Sequence, residues 1–290
     1  MKIDLHIHSS CSDGQMTVDE IFKEASERNI EIISIADHDS IDCQENAGFI
    51  APDYSIKYIY GLELSIIFSH PDYINSKPIS LDFLAYDYDI KNKALIGRLE
   101  KLRMYRKKRA EQILDKINEE LVIEGKDEFT SSDLESIESS VDGAFGRPHI
   151  ADYMVKKGVV ASRQEAFDRY LVKCNVPKMP LSLAEASDLV KGAGGKLFLA
   201  HPNHPRGTSL IKLTTDLKEQ KEIISKTILP YIDGIECWHA AHDSETVKAY
   251  EQYSKKYNLL MAGGSDCHQQ PVIMGSVDVP AFVAKQFKFS

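Results

Sequence analysis

A few short stretches of this chain carry residue types that hold metals and move protons. They are His6-Ile7-His8 with Asp13 close behind, Asp37-His38-Asp39, Glu63, Asp82, His201, and Asp266-Cys267-His268. The first lies in an alternating run, Ile3-Asp4-Leu5-His6-Ile7-His8, which reads as a short strand with Ile3, Leu5 and Ile7 on one side. His6 and His8 then share the other side. An H-x-H pair alone is a weak signal, because alternation puts any i, i+2 pair on one strand face. Its force comes from recurrence in the other stretches. The pool is imidazole and carboxylate, almost free of Lys or Arg. So many converging carboxylates repel one another and cost desolvation unless cations sit among them. Such N/O sets suit zinc, iron or manganese. The ligands outnumber the needs of one ion. Two or three divalent ions about 3.5–4 Å apart would use them, which is the clamp of phosphoryl-transfer hydrolases.

The elements that must position these residues share one design, an apolar β-type run ending in a polar cluster. The runs are 2–8, 30–39, 56–64, 79–89, 195–204, 234–239 and 259–268. Helical stretches lie between them, such as Val18–Arg28 and Asp243–Tyr257, the latter with Ser244 as its N-cap. Alternation of this kind predicts an α/β fold with parallel strands and crossover helices. Polar residues at seven C-terminal strand ends predict a distorted (β/α)7 barrel whose carboxyl mouth holds the site.

The pattern breaks at 93–192. Lys93–Val122 predicts a long amphipathic helix, with Leu95, Leu99, Leu102, Ala110, Ile113, Leu114, Ile117 and Leu121 on one stripe. Helical pieces follow at Ser131–Ser140, His149–Lys157 and Arg163–Lys173. The barrel is therefore expected in residues 1–92 and 193–290, with 93–192 as an all-helical subdomain inserted over its mouth.

The 290 residues can bury a sizeable core, and the composition, 43% hydrophobic and 27% charged, is that of a soluble globular enzyme. No run approaches the ~18 apolar residues of a membrane span, and the N-terminus enters a strand without a signal-like region. A cytoplasmic protein is expected. The five cysteines include no C-x-x-C pair, so a disulfide framework is not expected. A net charge of −9 argues against an extended nucleic-acid surface. A small phosphorylated substrate is compatible with it, provided that metals or a local basic patch reverse the field.

The stretches "DLHIHSSCSDG", "IADHDS", "GLELS", "FLAHP" and "GSDCH" resemble, in order, the motifs of the PHP (polymerase and histidinol phosphatase) family of metal-dependent phosphoesterases. "GRPHIADYMV" in the insert narrows the likeness to the branch of 3',5'-bisphosphate nucleotidases and 5'-to-3' exonucleases. The resemblance implies a trinuclear site of manganese, iron or zinc. It implies that His6, His8, Glu63 and Asp266 hold one catalytic metal and Asp13, His38 and His268 a second. Glu63 would bridge to a third, held with His201. One position departs from the family: Asp82 stands in "LDFLAYDYD" where the family strand carries a ligating His. A carboxylate there would favour manganese or iron over zinc. His70 is a weaker substitute.

Arg147 and His149 open a helix, where free N–H groups already favour an anion, and Arg offers a planar fork to phosphate. With His242 on the rim they make the expected substrate-binding set; His204, Arg206 and His239 lie near the same rim. Arg106 falls on the apolar stripe, and so should meet a buried carboxylate or face the mouth. Cys11 and Cys267 read as loop filler, and Asp37 as a residue orienting a ligand. The reaction implied is hydrolysis of a phosphomonoester by a metal-bridging hydroxide, with a nucleotide such as a 3',5'-bisphosphate nucleoside or an oligonucleotide 5' end as substrate. A histidinol-phosphate or other small-molecule phosphatase, and an amidohydrolase-like metal-dependent hydrolase, remain alternatives.

Overall fold

The computed structural model describes residues 1–70, 78–139, 146–205, 207–269 and 271–289. Its strands are β1 (Ile3–Ile7), β2 (Ile32–Ile35), β3 (Lys57–Tyr58), β4 (Gly61–Phe68), β5 (Ile79–Tyr86), β6 (Lys196–Leu199), β7 (Gly234–His239) and β8 (Leu260–Gly264). Its helices are α1 (Val18–Glu27), α2 (Gln44–Ile50), α3 (Lys93–Ile123), α4 (Ser131–Glu138), α5 (Arg147–Lys156), α6 (Arg163–Ala166), α7 (Leu183–Gly192), α8 (Leu217–Ile223) and α9 (Ser244–Lys256). The fold is α/β. Its strands form two sheets, ordered β1-β2-β3 and β4-β5-β6-β7-β8.

Two features of the expected barrel are corrected. The run at 56–64 is not one strand, because Tyr58 pairs with β2 while Gly61 onward pairs with β5. Nor are all strands parallel, since β5 runs antiparallel to both β4 and β6. The cause is chain length. Only residues 69–78 separate β4 from β5, and a parallel crossover takes about a dozen residues or more. The reversal sends the Asp87 end of that run away from the site, where Asp87 pairs with Lys196 at 2.5 Å. Asp82 instead sits mid-strand, opposite Ser65.

Among the described residues no continuous ladder closes the two sheets. Single parallel bridges join them at Ile7–Cys267 and His38–Glu63, supported by Asp266 N–H to His6 O (2.7 Å) and Asp39 N–H to Glu63 O (2.8 Å). Both seams are lined by glycine. A Cβ at Gly264 would overlap the His6 backbone nitrogen, and one at Gly61 would overlap the Ser34 hydroxyl. Close approach of backbone is what these positions supply. Asp4, fully buried, ties the first seam further by accepting from Ser265 N (2.9 Å) and Gly275 N (2.8 Å).

The stripe expected on α3 is buried throughout, but it serves two cores. Leu95, Leu99 and Leu102 pack with the main sheet and with α7. Ala110, Ile113, Leu114, Ile117 and Leu121 pack with residues running to Val176. A third cluster lies between β1, β2, α1 and α2. The N-cap of α9 is Asp243 rather than Ser244, its side chain accepting from Thr246 N. Helix α8 lies in the crossover between β6 and β7. Among the described residues no helix is long and apolar enough to cross a membrane.

Gly264→Ala is expected to cost about 3 kcal/mol through overpacking at the seam, read as a shift in urea midpoint. An unchanged midpoint would show that β1 and β8 do not need this close approach.

Candidate metal and phosphate site

The strand ends deliver their polar residues to one point. His6 Nε2 and His8 Nε2 lie 3.1 Å apart, and both face Asp266 Oδ1 at 3.3 and 3.2 Å. Glu63 Oε2 lies 3.5 Å from His6, 3.3 Å from His8 and 3.0 Å from His38 Nδ1. Its other oxygen meets His201 Nε2 at 3.0 Å. Asp13 faces His268 at 3.3 Å, His8 at 3.8 Å and His38 at 4.0 Å. His201 and Asp266 both adopt positive φ, 23° and 56°. Such backbone is uncommon outside glycine and is found where surrounding structure enforces it.

These contacts resolve into overlapping sets with metal-ligand spacing. His8, Asp13, His38 and His268 form one; His6, His239 and Asp266 another; His6, His8 and Glu63 a third; Glu63, Asp82 and His201 a fourth. The geometry thus brings together every residue expected as a ligand, while His70 stands outside these sets. It adds His239, expected only near the rim, whose Nε2 lies 3.4 Å from Asp266 Oδ2. It also adds Glu236, which accepts from His6 Nδ1 (3.0 Å) and from His201 N (2.8 Å). Both belong to β7. The β7–β8 register shifts between Glu236 and Trp238, and such an irregularity lets positions three apart share a face. Strict alternation hides that pairing.

Asp37 also lies with Cys11 and Cys43 in a set with metal-ligand spacing. It accepts from Ser9 N (2.8 Å), Ser9 Oγ (2.6 Å) and Cys43 Sγ (3.1 Å), pinning the loop that presents Asp13.

Burial alone would neutralise this cluster, and the opposed charges reverse that. Desolvation opposes charge on His8, yet Asp266 and Glu63 raise its imidazole to about 10. His201 rises to about 9 against the same burial, chiefly through Glu63. Burial pushes the carboxyls up, but imidazoles hold Asp13, Glu63 and Asp266 well below the carboxylate range. The field is thus one that stabilises cations. Several inward atoms, Asp13 Oδ1, His38 Nδ1, Glu63 Oε2 and His239 Nε2, have no hydrogen-bond partner among the described residues. Buried polar atoms of this kind call for a partner, and mixed imidazole and carboxylate donors fit divalent zinc, iron or manganese.

The cluster forms one wall of a cavity of about 450 Å³. Among the described residues, Arg106, Arg109, Arg147, Lys178 and Lys212 line the same cavity. Arg106 does both things expected of it, lining the cavity and pairing with buried Asp39. Arg109 donates to Val176 O (2.6 Å) and Asn175 Oδ1 (2.7 Å); burial, then Arg147 and Arg106, push it down to about 10. Arg147 donates to Leu171 O (3.2 Å), lies over the Phe167 ring and has no ion pair among the described residues. His149 accepts from Gly146 N (3.0 Å), so it caps α5, and it does not line the cavity. Nor does His242, whose Nδ1 faces Cys237 O at 3.0 Å. Arg206 lies outside the described residues.

The PHP domain profile matches residues 4–175. The chain is 25% identical over 276 residues to a 5'-3' exoribonuclease of Haemophilus influenzae, covering 92% of this chain and 90% of that one. It is also 25% identical over 280 residues to a 3',5'-nucleoside bisphosphate phosphatase of Chromobacterium violaceum, covering 92% and 87%. A solved Bifidobacterium adolescentis protein, described as a metal-dependent phosphoesterase, shares the fold. Its TM-score is 0.81 at 24% identity, covering 98% of this chain and 94% of that one.

Because the raised imidazoles must lose protons before ligating, metal uptake should release protons and tighten with rising pH. Manganese titration calorimetry at about pH 6.5 and 8.5, in two buffers of different ionisation enthalpy, is expected to show both effects. Equal affinity with no proton release would contradict protonated imidazoles in the metal-free cluster. The sign for the metal-free fold is opposite. The His8 contribution is complete below the unfolded value near 6.5 and is lost as pH rises through about 10.

Proposed function

The chain belongs to the PHP domain family, and from that premise we propose that it hydrolyses a phosphomonoester of a nucleotide in a metal-dependent reaction. The substrate class is a 3',5'-bisphosphate nucleoside or a short oligonucleotide 5' end. The observation that carries this reading is the meeting of charges in one cavity, whose wall carries both the imidazole–carboxylate cluster and, among the described residues, five cations. One phosphoryl group bound at the cluster leaves cations over, and a second phosphate uses them. An amine-bearing substrate such as histidinol phosphate would set its ammonium against those cations. A neutral amidohydrolase substrate would gain nothing from them. The size, about 450 Å³, suits a small ligand.

When bound, divalent ions lower the pKa of water toward neutrality and offset phosphoryl charge. His6, His8, Glu63, Asp266 and His239 would hold one ion, and Asp13, His38 and His268, with His8, another. Glu236 fixes the His6 ring through Nδ1, and Asp37 fixes the loop of Asp13. Arg147 and Arg109 offer planar forks to phosphate oxygens, and Phe167 adds an apolar face beside them.

Supporting the assignment of a cover is the make-up of the cavity. Arg106, Arg109, Arg147 and Phe167, from 93–192, line it together with the strand ends. We therefore read residues 1–92 and 193–290 as a distorted barrel of (β/α)7 type, and 93–192 as the helical insert over its mouth.

With manganese, phosphate release from adenosine 3',5'-bisphosphate is expected from the wild type and not from His8→Ala. Arg147→Ala should lower kcat/KM roughly 100-fold, the scale of losing one electrostatic partner of the reacting group. Release from a generic aryl phosphate alone would remove the nucleotide from the proposal. Silence on every phosphoester by metal-loaded protein would end it.

A further inference from the structure

In the fourth set, Glu63, Asp82 and His201, both Asp82 oxygens and His201 Nε2 are already served by protein, while His201 Nδ1 has no hydrogen-bond partner among the described residues. Asp82 Oδ1 accepts from Ser65 Oγ at 2.7 Å, and Oδ2 accepts from the Thr208 hydroxyl. Glu63 turns toward this set the oxygen that meets His201 Nε2 at 3.0 Å. The Glu63 oxygen without a hydrogen-bond partner among the described residues is the other one, at ion-pair distance from His6, His8 and His38. A cation is also at hand. Lys178 Nζ donates to the same Ser65 Oγ at 2.8 Å, giving a chain Lys178–Ser65–Asp82–Thr208 along the cavity wall.

Resting on the phosphoesterase reading, we infer that Lys178 supplies the third positive charge of this centre, so that the chain holds two divalent ions and presents the Lys178 ammonium to a phosphate oxygen. Three observations combine here. Position 82 is a carboxylate where the resemblance implies an imidazole. Both of its oxygens are capped by hydroxyls. A third dication placed among Glu63, Asp82 and His201 would also face the nearby ammonium, and like charges at short range in a partly buried site repel strongly. An ammonium is a compact point charge with three donors, suited to bridging Ser65 and a phosphate oxygen at once.

The test is metal stoichiometry, which needs no substrate and so separates this inference from the function proposed above. Protein dialysed to saturation with manganese is expected to hold two ions per chain by elemental analysis. Lys178→Gln should still hold two while binding inorganic phosphate about tenfold more weakly, the loss of one charge-assisted hydrogen bond. Asp82→His combined with Lys178→Met should raise the count to three. Three ions in the wild type would overturn the inference, whatever the variants do. Two ions with unchanged phosphate affinity in Lys178→Gln would overturn the role given to the ammonium.

Discussion

Glu63 is the residue on which the two halves of the site depend. Its backbone makes the bridge to His38 at one seam between the sheets. Its Oε2 reaches the imidazoles of His6, His8 and His38, all from the sheet of β1 and β2 or the loop after it, within 3.0–3.5 Å. Its Oε1 reaches His201, which follows β6 in the other sheet, at 3.0 Å. One buried carboxylate therefore joins two sheets that share no continuous ladder among the described residues. The glycines at both seams are the local expression of the same constraint, because a side chain at Gly61 or Gly264 would hold the sheets apart.

This arrangement requires compensation, since burying so many ionisable groups is costly unless each finds an opposite charge. Imidazoles and carboxylates provide it in the metal-free protein, as the displaced pKa values of His8 and His201 express. Cations would provide it in the loaded one. The basic side chains are a separate device. A chain of net charge −9 presents, among the described residues, five cations around one cavity, so the local field there is set by which side chains the fold gathers rather than by composition.

Much of the site was legible in the sequence because β periodicity and strand-end placement act locally. His6, His8, His38, Glu63, His201, Asp266 and His268 each stand at or just beyond a strand that its own apolar pattern announces. The direction of β5 was not legible, since it follows from a short connection and from pairing partners distant in sequence. Glu236, and the approach of His239 to Asp266, were not legible because the two β7 residues share a face only through the register shift in that strand. Lys178 escaped because it lies in a loop next to prolines, where no periodicity speaks. Only tertiary packing brings it to Ser65. The insert followed the same rule, its helical stripe plain in sequence and its division between two cores visible only in three dimensions.

Glu63 would hold one divalent ion together with the His6–His8 pair, while His38 and its neighbours would hold a second. Crystals grown with zinc and measured at its absorption edge test this arrangement most directly. One anomalous peak about 2.0–2.2 Å from the Glu63 carboxylate and within bonding distance of His6 or His8, and a second within bonding distance of His38 or its neighbours, are expected. Ordered zinc bound elsewhere, with Glu63 contacting only imidazoles, would contradict it.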